Sequence, residues 1–230
     1  MAVELVEVEG AAGRLAVRVD GREDLAAAVE RLGLARAPVL VLVGGAAHMS
    51  ASDAAHVRDA LAHAIVPVVE RAGATVVDGA TRVGVMELAG DVRAELGARF
   101  PLVGVIAAAL AGEAELDDRH THFVLVPGEE WGDESELLAV FAAAVADGSP
   151  SVTVLANGGD IAWDDVAFSI AEERRVVVLA DSGRTADELA AAATTRARSL
   201  QESGFVVVVP VTDSDAIRAA IARALGTSVP

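Results

Sequence analysis

The 230-residue sequence contains no cysteine, no lysine and no tyrosine. Without cysteine there is no disulfide, no zinc thiolate site and no thiol nucleophile. Without lysine there is no Walker-type phosphate lysine, no Schiff base and no attachment point for pyridoxal phosphate. Catalytic candidates shrink to His, Asp, Glu, Ser, Thr and Arg. Aromatic residues make up 3% of the chain, so a core has to be built from Val, Leu, Ile and Ala. Positive charge is scarce as well: 35 acids against 18 bases, all of them arginine, give a formal net charge of −17. Such a field repels phosphate polymers and anionic lipid, so neither nucleic acid nor a membrane surface is an expected partner. The longest apolar run, Leu102 to Gly112, is too short to span a bilayer. The N-terminus lacks a basic stretch followed by an apolar one, so no signal peptide is expected and the protein reads as cytoplasmic.

What is present is apolar residue in quantity, 53% of the chain, enough for a large core. A length of 230 residues suits one α/β domain. Residues 3–8 and 14–19, parted by Gly10 and Gly13, read as a β-hairpin or edge strands, and 21–32 carry a helical stripe. Residues 1–36 thus form an N-terminal addition to a core spanning 37–230. In the core, apolar runs at 39–43, 74–77, 102–107, 123–126, 152–155, 176–179 and 205–209 predict strands. Helical stretches are predicted at 50–71, 83–96, from Asp133, from Asp160, at 185–200 and from Asp213. Asp133 with Glu136, and Thr185 with Glu188, have the spacing of capping boxes. Continuous β-branched runs alternating with helices predict a Rossmann-like, doubly wound, mostly parallel sheet covered on both faces. Right-handed crossovers place every post-strand loop at one sheet edge, where ligands of such sheets bind.

Four of those loops carry glycine: Gly44-Gly45, Gly79, Gly158-Gly159 and Gly183. Glycine lets backbone approach a ligand closely, and a following helix N-terminus offers free N–H groups to an anion. A single such loop is ordinary strand punctuation; several on one edge point to a ligand. None has the G-x-G-x-x-G or G-x-x-x-x-G-K-[ST] pattern.

Three longer strings carry a resemblance. They are Asp78-Gly79-Ala80-Thr81-Arg82-Val83-Gly84-Val85-Met86; His120-Thr121-His122-Phe123-Val124-Leu125-Val126-Pro127-Gly128, followed by Trp131-Gly132-Asp133-Glu134-Ser135; and Val154-Leu155-Ala156-Asn157-Gly158-Gly159-Asp160-Ile161-Ala162. Together, over about residues 38 to 210, they resemble the SLOG superfamily in its prokaryotic LSDAT branch, related to the N-terminal domain of TRPM channels. The resemblance implies a Rossmannoid sensor or processor of nucleotide-derived ligands such as ADP-ribose or NAD-related molecules. Phosphoribohydrolases of the superfamily carry P-G-G-x-G-T-x-x-E. This chain has Asn157-Gly158-Gly159-Asp160-Ile161-Ala162-Trp163-Asp164-Asp165 there, without the Thr, which leans the reading toward binding.

The candidate ligand-binding set is Gly44, Gly45, Gly79, Thr81, Arg82, Gly84, Pro127, Gly128, Trp131, Glu134, Asn157, Gly158, Gly159, Asp181, Ser182 and Arg184. Arg82 and Arg184 would neutralise a diphosphate, since arginine grips phosphate bidentately. Glu134 and Asp181 would accept bonds from ribose hydroxyls. Trp131 would stack on an adenine or anchor its loop. Each has a bland counterpart: Asp160 as an N-cap, Thr81 as a cap of the next helix, Glu134 as a complement to a helix dipole. His120 and His122, with His48, Asp117 and Asp118, could ligate a metal, but one buried structural and one edge histidine is the preferred reading, so no metal is expected. The acidic stretch 112–118 reads as a solvated loop or a lid, and Met86 as core.

Three functions remain open. The first is a sensor that binds a nucleotide-derived small molecule, with no required cofactor. The second is an N-glycoside or phosphoribosyl hydrolase using Glu134 or Asp160. The third is an interaction protein with a vestigial pocket. A homo-oligomer and a separate effector protein are left open as partners.

Overall fold

Seven apolar runs of four to six residues, each bounded by a turn, have to become strands, because a strand buried on both faces needs no polar alternation. The computed structural model describes residues 3–8, 13–45 and 49–228. Its strands are β1 (Glu4–Val6), β2 (Leu15–Arg18), β3 (Val39–Gly44), β4 (Thr75–Asp78), β5 (Leu102–Ala107), β6 (His122–Val126), β7 (Ser151–Ala156), β8 (Arg175–Ala180) and β9 (Val206–Pro210). They form one sheet in the order β1-β2-β6-β5-β4-β3-β7-β8-β9. Every pairing is parallel except β1 with β2 at one edge. Gly10, which was to part β1 from β2, lies outside the described residues.

The helices are α1 (Leu25–Arg31), α2 (Ala51–Ala60), α3 (Val66–Ala72), α4 (Gly84–Glu95), α5 (Ser135–Ala146), α6 (Asp160–Ala171), α7 (Arg184–Ala190), α8 (Thr195–Glu202) and α9 (Ser214–Ala224). They cover both faces. Alternation along β3 shows how: Val39, Val41 and Val43 pack with α1 and α5 to α8, while Leu40 and Leu42 pack with α2, α3, α4 and α9.

Several local expectations are corrected. The helix expected over 50–71 contains a π turn, Leu61–Ile65, between α2 and α3. Pro67 has no N–H to give the His63 carbonyl; an Arg218 guanidinium donates to that carbonyl instead. The helix expected over 185–200 breaks after Ala190; Ala192 turns left-handed (φ +50°) and Thr194 accepts the Ala197 N–H to cap α8. Asp133 does not cap α5. Its Oδ2 accepts the N–H groups of Glu129 and Glu130 (2.9 and 3.0 Å), closing the turn one step earlier. Thr185 donates to the Gly159 carbonyl (2.9 Å) rather than joining a capping box. Asp160 is the first residue of α6, with Gly159 in the cap position. Thr81 does not cap α4; it bridges to Leu116. The acidic stretch 112–118 is not a freely solvated loop, because Leu116 and Asp117 are buried within it.

Candidate functional site

The chain leaves β3 for β4 on one side and later returns to β7 on the other. Loops that diverge at such a switch point leave a crevice beyond the strand ends. Here the crevice holds a cavity of about 380 Å³, lined by Leu42, Val43, Gly44, Gly79, Thr81, Met86, Trp131, Glu134, Leu138, Gly159, Asp160, Ile161, Ala162, Asp165 and Arg184.

Gly44 is required by close approach: a Cβ there would lie 2.0 Å from the Ala156 carbonyl oxygen. Gly45 accepts the Val85 N–H through its carbonyl (3.0 Å), tying the β3 loop to the start of α4. Gly79 and Thr81 belong to the loop after β4, and Gly159 leads into α6. Arg184 opens α7, and its Nη2 lies 3.0 Å from the point a Gly159 Cβ would occupy. Left-handed backbone gathers at this edge in residues other than glycine: Ala80 (φ +68°), Asn157 (+59°), Asp181 (+64°) and Arg184 (+52°). Strain of this kind concentrates at functional sites.

The expected site residues thus divide. Gly44, Gly79, Thr81, Trp131, Glu134, Gly159, Asp160 and Arg184 come together on the cavity wall. Asn157, Gly158 and Ser182 lie just behind it: the Asn157 N–H donates to Ser182 Oγ (2.7 Å), Asn157 Nδ2 donates to the Ser182 carbonyl (2.7 Å), and Ser182 Oγ donates to the Leu179 carbonyl (2.6 Å). This clamp fixes the β7 loop against the β8 loop. Gly45 and Gly84 shape the backbone behind the wall. Arg82, exposed, faces Glu115 at 3.9 Å. Pro127, Gly128 and Asp181 do not line the cavity.

Met86 is core, as read, and also reaches the cavity wall. Asp165 carried no assigned role, although it too lines the cavity. Burial, helped by Glu134 and Asp164 and opposed by the Ser135 hydroxyl, pushes its carboxyl up to about 7. Glu134 is also raised, first by burial, against the Gly132 N–H that its Oε2 accepts at 3.0 Å. Asp165 thus holds its proton into the neutral range, next to a second carboxyl shifted in the same direction. The signal was the period: Ile161, Ala162 and Asp165 sit at i, i+1 and i+4, one face of α6.

Beneath the β4 loop lies a second polar group. Buried His120 places Nε2 2.7 Å from Asp78 Oδ1 and Nδ1 3.0 Å from the Asp117 carbonyl oxygen. Both neighbours are acceptors, so the ring donates from both nitrogens as an imidazolium. Burial lowers its pKa, but Asp78 and Asp117 outweigh that, and the net direction is up. Arg119 donates to Asp117 Oδ1 through Nε (2.6 Å) and pairs with Asp91. His122 is half-buried, with Nδ1 2.8 Å from Thr121 Oγ1. Among the described residues no three His, Asp or Glu side chains are grouped to hold a metal; His48 lies outside them. None of the helices described is long and apolar enough to cross a membrane.

Comparison with known proteins agrees with this architecture. No curated protein matches the sequence. Solved structures do. The molybdenum cofactor carrier protein of Chlamydomonas reinhardtii superimposes with a TM-score of 0.57 at 18% identity, covering 84% of this chain and 100% of that one. The molybdenum cofactor binding protein of the phototrophic bacterium Rippkaea orientalis gives 0.55 at 14% identity, covering 81% and 98%. At these identities the likeness is one of fold. The model of the family described as SLOG in TRPM, prokaryote, matches residues 37–220. The chain, an α/β domain by fold, therefore belongs to the prokaryotic SLOG family related to TRPM.

Proposed function

We propose that the crevice binds a nucleotide-derived ligand, ADP-ribose or an NAD-related molecule, and that the chain acts as its sensor. The observation that carries this is the convergence of Gly44, Gly79, Gly159, the start of α6 and Arg184 on one cavity at the switch point. Gly79, where a Cβ would meet nothing nearer than 3.9 Å, and Gly159, beside the Arg184 guanidinium, admit a phosphate to backbone distance, and Arg184 supplies charge. The same cavity also carries Glu134, Asp160 and Asp165, acceptors suited to ribose hydroxyls and ring N–H groups rather than to more phosphate. Against a net charge of −17 such a division lets an anion bind locally while one end of the ligand meets acids.

The test is a thermal-shift screen with ADP-ribose, NAD, AMP and ATP, followed by chromatography of the incubated ligands. Stabilisation follows RT ln(1 + [L]/Kd), so a hundredfold excess over Kd adds roughly 2.7 kcal/mol. The sensor reading expects a saturable shift with the ligand recovered intact, and loss of most of that shift in Arg184→Ala. The absence of a shift with all four would sink it.

The Glu134–Asp165 pair favours one second reading, hydrolysis of an N-glycosidic bond. A protonated Asp165 would give its proton to the departing base, and Glu134 would take one from the water whose oxygen bonds to the sugar carbon. That reading expects free base in the chromatogram, absent with Glu134→Gln and with Asp165→Asn.

A further inference from the structure

We propose that the lip of the crevice is a stacking site for a planar nitrogen heterocycle, held by Trp131 against Ile161 with its N–H edge toward Glu134 and Asp165. This rests on the nucleotide reading above and fixes which way round the ligand lies: ring outward on the lip, anionic end inward at Gly159 and Arg184.

Exposure of large apolar side chains is uneven. Seven are exposed among the described residues, and two of these, Trp131 (52%) and Ile161 (37%), also line the cavity. A third, Val83 (40%), lies two residues beyond Thr81 of the cavity wall. The chain has two tryptophans, and they are treated differently. Trp163 is buried, with the Arg196 guanidinium 5.5 Å over its ring. Trp131 stands half in water at the crevice. A tryptophan face left uncovered forfeits much of its burial energy, and an amphipathic ring at a cavity mouth is the usual cover for a ligand ring.

The lip is also pre-positioned. Gly132 adopts φ +100°, and a Cβ there would sit 3.2 Å from Ile161 Cγ1, so the backbone after Trp131 is pressed directly onto Ile161. The Gly132 N–H is in turn held by Glu134 Oε2 at 3.0 Å. One short segment, 131–134, therefore carries the ring platform and the acceptor together, and α6 supplies Ile161 and Asp165 one turn apart. A heterocycle laid on this platform meets carboxyl oxygens at its edge. Carboxylates accept from ring N–H and amino groups, so amino-bearing bases fit and a bare sugar phosphate leaves the lip uncovered.

The experiment uses the full chain and two probes, ADP-ribose and ribose 5-phosphate. In Trp163→Phe, Trp131 is the sole tryptophan, and its emission reads the lip directly. A saturable change with ADP-ribose and none with saturating ribose 5-phosphate is the expected result. Independently, in the otherwise natural chain, Trp131→Ala should weaken ADP-ribose binding about tenfold or more, in keeping with base–aromatic stacking. Affinity for ribose 5-phosphate should be unchanged, and Trp131→Phe should recover most of the loss. If ADP-ribose stabilises the protein but neither the emission nor the Trp131→Ala affinity moves, the stacking site is overturned and the nucleotide reading stands. If no nucleotide stabilises the protein, both are overturned.

Discussion

Glu134 and Asp165 on the crevice wall, and Asp78 and Asp117 beneath the β4 loop, are four acids drawn away from bulk water, and burial raises Asp117 as it raises the first two, yet the partners of the two groups differ. Asp78 faces an imidazolium, and Asp117 takes the Arg119 Nε–H and backbone N–H. On the crevice wall burial is the main cause: it raises both acids, Asp133 adds to it at Glu134 and Glu134 at Asp165, and Asp165 keeps its proton to near neutrality. A buried charge met by its counter-charge holds structure in place, here the loop that carries Gly79 and Thr81. Buried acids left to repel one another store unfavourable energy that a ligand's donors can relieve. The ion-paired group is framework, and the group on the crevice wall is the candidate site.

The largest effect that could break this comparison comes from cutting the framework. Removing one partner of a buried ion pair leaves the other uncompensated, at a cost of about 3–5 kcal/mol. His120→Ala strands Asp78, whose Oδ2 already has no partner. At about 2–4 °C per kcal/mol for a chain of this size, its melting temperature should fall on the order of 10 °C in calorimetry at pH 6.5. A fall of a degree or two would mean that the network is not a framework.

The reverse sign is expected on the crevice wall. A carboxyl raised to about 7 makes the folded state hold a proton that the unfolded state gives up near 3.8. Stability from that group is present below about pH 4 and lost as pH rises toward 7. Asp165→Asn removes the penalty, so at pH 8 the variant should be more stable than the natural protein by about 2–4 kcal/mol. At pH 4 the two should nearly coincide in urea titrations. Stabilisation accompanied by loss of ADP-ribose binding is the trade expected of a residue kept for its ligand.

This contrast explains what was legible in the sequence. Strands such as β3 and β7 were, because continuous Val and Leu runs leave few alternatives. Gly44, Gly159 and Arg184 were, because the loops after parallel strands fall on one edge whatever the details. Asp165 was not, since its role depends on the rotation of α6 that faces Ala162 and Asp165 inward and leaves Asp164 out. The Asp78–His120 pair was not either. It joins residues 42 apart in sequence through a register set by β4, β5 and β6, and nothing local to His120 announces its partner. The π turn before Pro67 and the break at Ala192 were missed because apolar periodicity continues through both.

The smallest expected effect separates the two groups by pH alone. His120 is raised, so its stabilisation is complete below about pH 6.5 and is lost as pH climbs through the folded value. The shift is the residue of opposed causes: burial pushes down, while Asp78 and Asp117 push up. The difference it makes should be modest. In an Asp165→Asn background the pH 4–7 contribution from the crevice is gone. A further His120→Gln should then alter the stability profile by a declining difference above pH 6.5 and by a constant offset below it. Glutamine keeps a donor toward Asp78 but cannot titrate. A difference that instead grows as pH rises toward 6.5 and is flat above it would mean that His120 is neutral in the fold. Asp78 would then be held by a hydrogen bond alone, and the distinction between framework and candidate site would rest on geometry without charge.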